Sequence, residues 1–384
     1  FRNVRSAYYR KINGRYPTLQ GVGEPATVWN ELMETWEARN SPGLTDTLLL
    51  HQETAPQMVV LASPLDIEAL HGSYHWVCDG TFEYCPPSFC QLYTIHGFVR
   101  GEAVPLVAAL LPNKTSATYD KLFGVIRDAL TRRFGSVGAQ RVAHFDFEEA
   151  AITSCKQQFP GVTTKGCLFH FGQCLTRKIA SLGLQSLYRD PVNPVFKDWV
   201  RKVVGLALLP PPLVLPHWHN HLKSTQPVTG DIRLDRALAD FGLYLGSQWL
   251  CSPTQVEQWN YYSDQDNLRT TNHVEGWHSS LRHKFKSQPR MPLSKFLAEF
   301  QRFIHHQNQV RIRQRLRGEG PSERRRVYRT NNEAIERLKH EITGHWNEFL
   351  IVPVVAPFQT HHEQFSYRIV MFLTQAARRL GLNA

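Results

Sequence analysis

The sequence predicts an α/β protein in which helices cover a mixed β-sheet and an all-helical segment interrupts the chain. Residues 74–111 contain three successive apolar runs with strand character, and helical and strand-like segments alternate after them up to residue 171. Three antiparallel strands followed by this alternation form a mixed sheet with helices packed on its faces. Residues 183–268 contain no convincing strand, which predicts a helical subdomain inserted into the α/β core.

Local patterns predict the first elements in turn. Residues 1–70 are predicted to form a mainly helical segment with a helix near residues 26–40, although the runs TLLLHQ and MVVLAS have strand character. SPLDIEALHG reads as a short helix capped by Ser63 or Asp66. The core then begins with the strands YHWVCDGTF, FCQLYTIHGFV and EAVPLVAALL, the last two joined by a hairpin at RGE.

A helix is predicted over residues 116–134, because apolar residues recur there every three to four positions and Gly135 follows as a stop. AQRVAHFDF, EEAAITSCKQQF and VTTKGCLFHF then predict a strand, a helix and a strand. A long polar and basic helix beginning near TTNHVEGWH closes the core. The predicted organisation is an N-terminal segment (1–70), a first part of the core (71–182), the helical insertion (183–268), the closing part of the core (269–317) and a basic, helical C-terminal segment (318–384).

The positive charge of the chain is concentrated in one stretch. Lys and Arg number 44 and Asp and Glu 33, an excess of 44 − 33 = 11. Residues 275–330 hold 14 Lys or Arg and 4 Asp or Glu, so nearly all of the excess lies there. This concentration of charge predicts a polyanionic partner, first nucleic acid and second an anionic membrane surface. The alternative interpretation is that the charges lie on a solvated helix face. No run approaches the ~18 apolar residues that a membrane span needs, and seven scattered cysteines favour reduced thiols inside a cell.

Three acidic residues are candidates for a metal centre. Asp79 follows the apolar run of the first core strand, where it either opens an Asp-Gly turn or is presented by the strand as a ligand. Asp146 ends the fourth strand, and Glu275 lies in the first turn of the closing helix. Carboxylates that converge in this way need a positive partner, and Mg²⁺ prefers oxygen ligands. Together with the basic tract, they predict metal-dependent phosphoryl transfer at two ions.

Five ordered blocks in this sequence resemble the Mutator-like element (MULE) transposase domain: DGTFEYCPPSFCQLYTIHGF, VPLVAALLPNKTSATYDKLF, HFDFEEAAITS, KGCLFHFGQ and TNHVEGWH. The resemblance extends from about residue 45 to residue 315. It implies an RNase H-like DDE recombinase with a helical insertion before the glutamate, and it matches Asp79, Asp146 and Glu275 to the catalytic, metal-binding acids. Members of this family often carry an N-terminal zinc-binding module. Residues before 75 show no such Cys/His pattern, so we expect a trimmed form of a longer protein.

The function that follows is a cut-and-paste DNA transposase. It would cleave element ends and transfer the strands to target DNA, using two Mg²⁺ ions, with Mn²⁺ expected to substitute. We expect double-stranded DNA (terminal inverted repeats and target) as partner, a homodimer or higher assembly, no membrane and a nuclear location. The alternatives are a domesticated, non-catalytic DNA-binding regulator derived from a transposase, and a stand-alone nuclease on the same fold.

Further residues receive roles from the resemblance or from the charge pattern. Cys167 and His170 form a C-x-x-H motif expected to support the active site; with Cys174 they also suggest a zinc site, which lacks a fourth ligand. Trp249 and Trp259 are candidates for stacking on an extruded base. HWHNH, residues 217–221, is predicted to be a surface loop, with a metal site as its alternative. The DNA-binding residues are expected to be Arg282, Lys284, Lys286, Arg311, Arg313, Arg315, Arg317, Arg324, Arg325 and Arg326.

Overall fold

A computed structural model describes most of the chain from residue 49 onward. The described residues are 49–54, 57–99, 102–138, 141–264, 268–269, 272–285, 290–293, 295–297, 299–300, 303, 317, 326–351 and 358–380. They divide between two compact units, the first formed by residues 1–164 and 272–322 and the second by residues 165–271 and 323–384. The predicted helix near residues 26–40 lies outside the described residues.

The first unit is built on a seven-stranded mixed sheet. Its strands are β1 (Leu49–Thr54), β2 (Gln57–Leu61), β3 (His75–Thr81), β4 (Gln91–Val99), β5 (Glu102–Leu111), β6 (Val142–Phe145) and β7 (Thr163–Gly166). Their order across the sheet is β1-β2-β5-β4-β3-β6-β7. The first five strands in this order, β1, β2, β5, β4 and β3, each pair antiparallel with their neighbours. The next pair, β3 and β6, runs parallel. The predicted mixed α/β class is therefore confirmed.

Twelve α-helices have both ends in the described residues. They are α1 (Pro64–Gly72), α2 (Ser116–Phe134), α3 (Glu149–Gln158), α4 (Leu168–Ser181), α5 (Gln185–Arg189), α6 (Val195–Gly205), α7 (Pro211–His217), α8 (Ile232–Gln248), α9 (Pro253–Trp259), α10 (Asn272–Phe285), α11 (Arg326–Ile351) and α12 (Phe358–Arg379). A 3₁₀ turn at Leu206–Leu208 and a π-helical turn at Trp218–Leu222 complete the regular elements. None of the described helices is long and apolar enough to cross a membrane.

The described part of the N-terminal segment confirms the strand character of TLLLHQ and MVVLAS, and it differs from the prediction of a mainly helical segment. β1 and β2 form a hairpin, and β2 extends the sheet by pairing with β5. Met58, Val59 and Val60 are all buried, because the two faces of β2 pack into different apolar clusters. Burial on both faces explains why a short, continuous apolar run forms a strand here.

Helices α1, α2 and α3 cover one face of the sheet. Ser63 caps α1 in a capping box with Asp66, and α2 ends at Gly135, whose φ of 72° is the left-handed conformation that favours glycine. Buried side chains of β3 and α2, such as Trp76 and Phe123, belong to one apolar cluster on this side. Burial of each such side chain stabilises the fold by about 1.5–3 kcal/mol.

The opposite face of the sheet packs against α10. Leu92 and Leu110 on the sheet share a cluster with Trp277, Leu281 and Phe285 of α10. The spacing of the three helix residues is four, which is one apolar stripe of an α-helix. This packing brings the closing helix against the strands that carry the predicted acids, and α10 contacts β3.

Two predicted elements have a different secondary structure. The run VTTKGCLFHF is a strand only to Gly166, and α4 begins at Leu168, so Cys167 is the N-cap residue of a helix. HWHNH is not a surface loop: His217 ends α7 and is buried, and residues 218–222 form a π-helical turn. Trp218 and Leu222 are buried one turn apart, and this apolar pair explains the helical conformation.

Candidate active site

Asp79 lies within β3 and not in a turn. The strand continues through Gly80 to Thr81, and Asp79 pairs with Thr94 of β4. A Cβ at position 80 would approach the side-chain Oε1 of Gln91 to 2.5 Å, so glycine allows this close approach. The Gly80 amide donates to Asp79 Oδ1 at 2.8 Å. The Asp-Gly turn interpretation is therefore wrong, and the strand presents the carboxylate.

Asp79 and Asp146 stand at equivalent positions of adjacent parallel strands. β3 and β6 pair with a constant offset, since His75 is level with Val142 and Val77 with His144. The offset is 142 − 75 = 67, and Asp146 follows Asp79 by the same 67 residues. Asp146 comes directly after the last residue of β6. Because parallel strands with one register end at the same edge, the two acids belong to one edge of the sheet.

The two acids also share a face with buried histidines that the sequence analysis missed. Trp76 and Cys78 of β3 point into the cluster under α2, so His75 and Asp79 point to the other face. His75 Nδ1 lies 3.2 Å from His144 Nε2, and His96 Nε2 lies 3.2 Å from Thr94 Oγ1. The available signal was the period-two spacing of polar residues in HFD, residues 144–146.

Helix α10 brings a further histidine to the same place. His278 Nδ1 lies 3.6 Å from Asp79 Oδ2. Glu275 precedes His278 by three residues, and residues three apart share one face of a helix. The backbone of Glu275 is thus on the side of α10 that meets β3, whereas its side chain lies outside the described set. The E-x-x-H spacing in EGWH was the sequence signal for this pair.

Burial and, to a smaller extent, negative charge raise the pKa values of groups near this edge. Burial raises the pKa of the Cys78 thiol well above its ordinary value, and the charges of Cys155, Asp146 and Asp79 raise it further. Burial raises the pKa of the Tyr119 hydroxyl above its ordinary value, and the charges of Glu148 and Asp146 act in the same direction. The acids at this edge therefore create a negative potential in a partly desolvated region, which a bound cation would relieve.

The environment of Asp146 fits a cation ligand. Its Oδ1 atom is buried and has no hydrogen-bond partner in the described part of the chain. Phe147, the next residue, has a φ of 67°, a left-handed conformation that is costly for a bulky side chain. Unpaired buried carboxylate oxygens and strained backbone are both typical of functional sites. Among the described side chains, no three His, Cys, Asp or Glu form a metal-binding group, and Glu275 is not among those side chains.

The proposed supporting residues belong to the second unit. Cys167 is buried at the N-cap of α4, and His170 is half-buried in the first turn, its ring 5.5 Å from that of Phe169. His170 is therefore a helical residue, whereas Cys167 is the single extended residue between β7 and α4. Their role beside the acids remains a prediction.

The two candidate base-stacking tryptophans are part of the second unit's core. Trp259 is fully buried and stacks on Phe171 with ring centroids 4.9 Å apart. Trp249 is 8% exposed, and its carbonyl accepts a hydrogen bond from Trp259 Nε1 at 3.0 Å. Stacking on an extruded base would require that either ring leave this core.

Few of the predicted DNA-binding residues lie in the described part of the chain. Arg282 and Lys284 are exposed on α10, and Arg282 Nε lies 3.6 Å from Glu83 Oε2. Arg317 is exposed, and Arg326 begins α11. The others lie outside the described residues: Lys286, Arg311, Arg313, Arg315, Arg324 and Arg325.

Comparison with protein families supports the resemblance over one part of the chain. Residues 75–173 match the model of the MULE transposase domain. This part of the chain is therefore similar to the MULE transposase domain. No curated protein matches the chain significantly.

The MULE domain match begins at the first residue of β3 and ends within α4. It includes Asp79, Asp146, Cys167 and His170, whereas Glu275 and the basic tract lie beyond it. The predicted resemblance is confirmed over this range, and it indicates a transposase-related function.

Proposed function

We propose that the protein is a DNA transposase of the cut-and-paste type that uses Asp79, Asp146 and Glu275 in metal-dependent phosphoryl transfer. The observation that carries this proposal is the common register of Asp79 and Asp146 on adjacent parallel strands inside the matched MULE domain. A register shared by two carboxylates concentrates negative charge at one point, which is costly for a protein without a cationic ligand.

The strand order supports an RNase H-like core for this activity. Three strands form an antiparallel meander, β3-β4-β5, and β6 adds in parallel on the free side of β3 after the helix α2. This order is compatible with the RNase H-like core that the resemblance implies, with Asp79 on β3 and Asp146 directly after the adjacent strand β6. On this proposal residues 165–271 interrupt the core before Glu275.

The chain's own residues would hold the metal and the DNA. Asp79, Asp146 and Glu275 would bind two Mg²⁺ ions, or Mn²⁺, and such ions activate an attacking oxygen and stabilise the leaving one during in-line displacement. His278 would fix the orientation of Asp79 from α10, since its ring nitrogen is 3.6 Å from the carboxylate. Arg282 and Lys284 would contact the DNA backbone beside the acids.

The partners follow from the reaction. Two element ends must be cut and joined to one target, so we propose a homodimer or a higher assembly that acts on double-stranded DNA in the nucleus. Water would attack first, and the freed 3′ hydroxyl of the DNA would attack the target afterwards.

The test uses labelled duplexes made from the DNA that flanks the gene, together with a supercoiled plasmid as target. Asp79→Asn, Asp146→Asn and Glu275→Gln are each expected to lower cleavage in Mg²⁺ by several orders of magnitude while the protein stays folded and bound to DNA. Asp128→Asn is the matched control, because Asp128 is an exposed carboxylate on α2 that lies 2.7 Å from its neighbour Arg127.

The products separate the rival functions. Cleavage followed by joining to the plasmid supports the transposase, whereas cleavage without joining indicates a stand-alone nuclease. DNA binding without metal-dependent cleavage by the parent protein would indicate the domesticated regulator and refute the proposal. Full activity of any one acid variant would remove that residue from the site.

A further inference from the structure

An exposed aromatic ring stands at the end of the strand that carries Asp79. Phe82 follows Thr81, the last residue of β3, and is 51% exposed. Lys114 Nζ lies 4.5 Å from the centroid of its ring. A cation over the face of a phenyl ring is attracted by the ring's quadrupole. Lys114 therefore stabilises the position of the exposed Phe82 ring.

Lys114 connects this ring to the strand end that carries Asp146. Its ammonium lies 3.2 Å from Glu148 Oε2, and Glu148 is two residues beyond Asp146. Lys114 comes three residues after β5, which is parallel to β3 because both are antiparallel to β4. The ends of β3, β5 and β6 thus gather an aromatic face, a cation and the acids at one edge of the sheet.

We propose that Phe82 stacks on an unpaired nucleobase next to the phosphate that is cleaved, while Lys114 contacts that strand's phosphate backbone. This inference rests on the proposed function and adds to it the class of substrate, which is DNA that is unpaired or frayed at the cleavage point. Every base has a π face on which an aromatic ring can stack, but in an intact duplex both faces are covered by neighbouring base pairs. An ammonium has three donors, so Lys114 can contact Glu148 and a phosphate together.

The test measures affinity, not cleavage. A fluorescent oligonucleotide of twelve thymidines and a blunt duplex are titrated with the full chain in Ca²⁺, which takes the same oxygen ligands as Mg²⁺. Phe82→Ala is expected to weaken binding of the single strand by about 5-fold to 150-fold, the effect of losing one stacked base, and to change duplex binding much less. Phe82→Trp, which keeps an aromatic face, is expected to restore the parent affinity.

Tyr74→Ala is the matched control. Tyr74 is 57% exposed and directly precedes the other end of the same strand, so its loss removes an exposed ring away from the acids. Lys114→Gln is expected to flatten the slope of log K against log[salt] for the single strand by about 0.7, which corresponds to one phosphate contact. Circular dichroism melts of all variants check that each is folded.

The outcomes separate this inference from the proposed function. Equal single-strand affinities of the parent and Phe82→Ala, or an equal loss in Tyr74→Ala, would overturn the stacking role even if the acids cleave DNA. A selective loss in Phe82→Ala supports it even if the parent protein cleaves nothing, in which case the catalytic proposal alone fails.

Discussion

The buried imidazole of His217 should make the folded protein sensitive to acid. His217 ends α7 and is 5% exposed, and its Nε2 atom has no hydrogen-bond partner in the described part of the chain. Burial, with a smaller contribution from His221, lowers the pKa of His217 from 6.5 to about 4. The folded state therefore keeps this imidazole neutral at a pH at which the unfolded chain protonates it.

The sign and size of the effect follow from that difference. Between pH 6.5 and about 4 the unfolded state binds more protons, so the free energy of unfolding falls as the pH falls. From pH 7 to pH 5 the loss attributable to this one group is about 2 kcal/mol. His217→Leu removes the titrating group and should make the dependence of stability on pH correspondingly shallower.

Urea unfolding followed by tryptophan fluorescence at pH 7, 6 and 5 measures this difference. The parent protein and His217→Leu should diverge in their pH dependence by about 2 kcal/mol, with the variant losing less stability in acid. His219→Gln is the control, because His219 is exposed on the next turn. Parallel stability profiles for the parent and His217→Leu would show that His217 is solvated in the folded protein and would refute this reasoning.

Three further predictions concern the proposed activity. Mn²⁺ at one hundred times its dissociation constant should stabilise the parent by about 2.7 kcal/mol, and calorimetry should detect no such gain in Asp146→Asn but an unchanged gain in Asp128→Asn. Replacing Arg311, Arg313, Arg315 and Arg317 by Gln should flatten the slope of log K against log[salt] for duplex binding by about two to four, since each phosphate contact contributes about 0.9. Unchanged affinity and slope would show that these arginines lie on a solvated face. Elemental analysis should find no stoichiometric zinc, and His170→Ala should impair cleavage more than thermal stability, whereas one zinc per chain lost in Cys167→Ala would show a structural metal site.

The strands that carry the acids could be predicted because their pattern is local. Alternating and continuous apolar runs define β3 to β6 without knowledge of their partners, and the capping residues Ser63 and Gly135 mark helix ends by their own conformational preferences. The sequence also predicted Asp146 at the end of β6, but it placed Asp79 at the end of a strand that continues to Thr81. The common register of the two acids could not be predicted, because the pairing of β3 with β6 is decided by packing far apart in the sequence.

Other features depended on contacts that the sequence does not display. The pairing of His278 with Asp79 requires α10 to dock on the sheet, so E-x-x-H alone did not reveal it. The run after Gly166 has apolar and aromatic residues that suit a strand, yet Leu168, Phe171 and Leu175 are buried at helical spacing. HWHNH was predicted to be a surface loop, while the buried pair Trp218 and Leu222 determined a helical segment.

The split of the first unit between two stretches of chain affects how the protein is synthesised. The first stretch of this unit ends at residue 164, within the last strand β7, whereas α10, which covers the second face of the sheet, begins only at residue 272. A ribosome that adds about 5–20 residues per second needs on the order of 5–20 s for the intervening 107 residues. During that interval the nascent sheet presents Leu61, Leu92 and Leu110 without Trp277 and Leu281 to cover them. Nascent chains at this stage therefore expose an apolar sheet face on which chaperones can act, and they still lack Glu275.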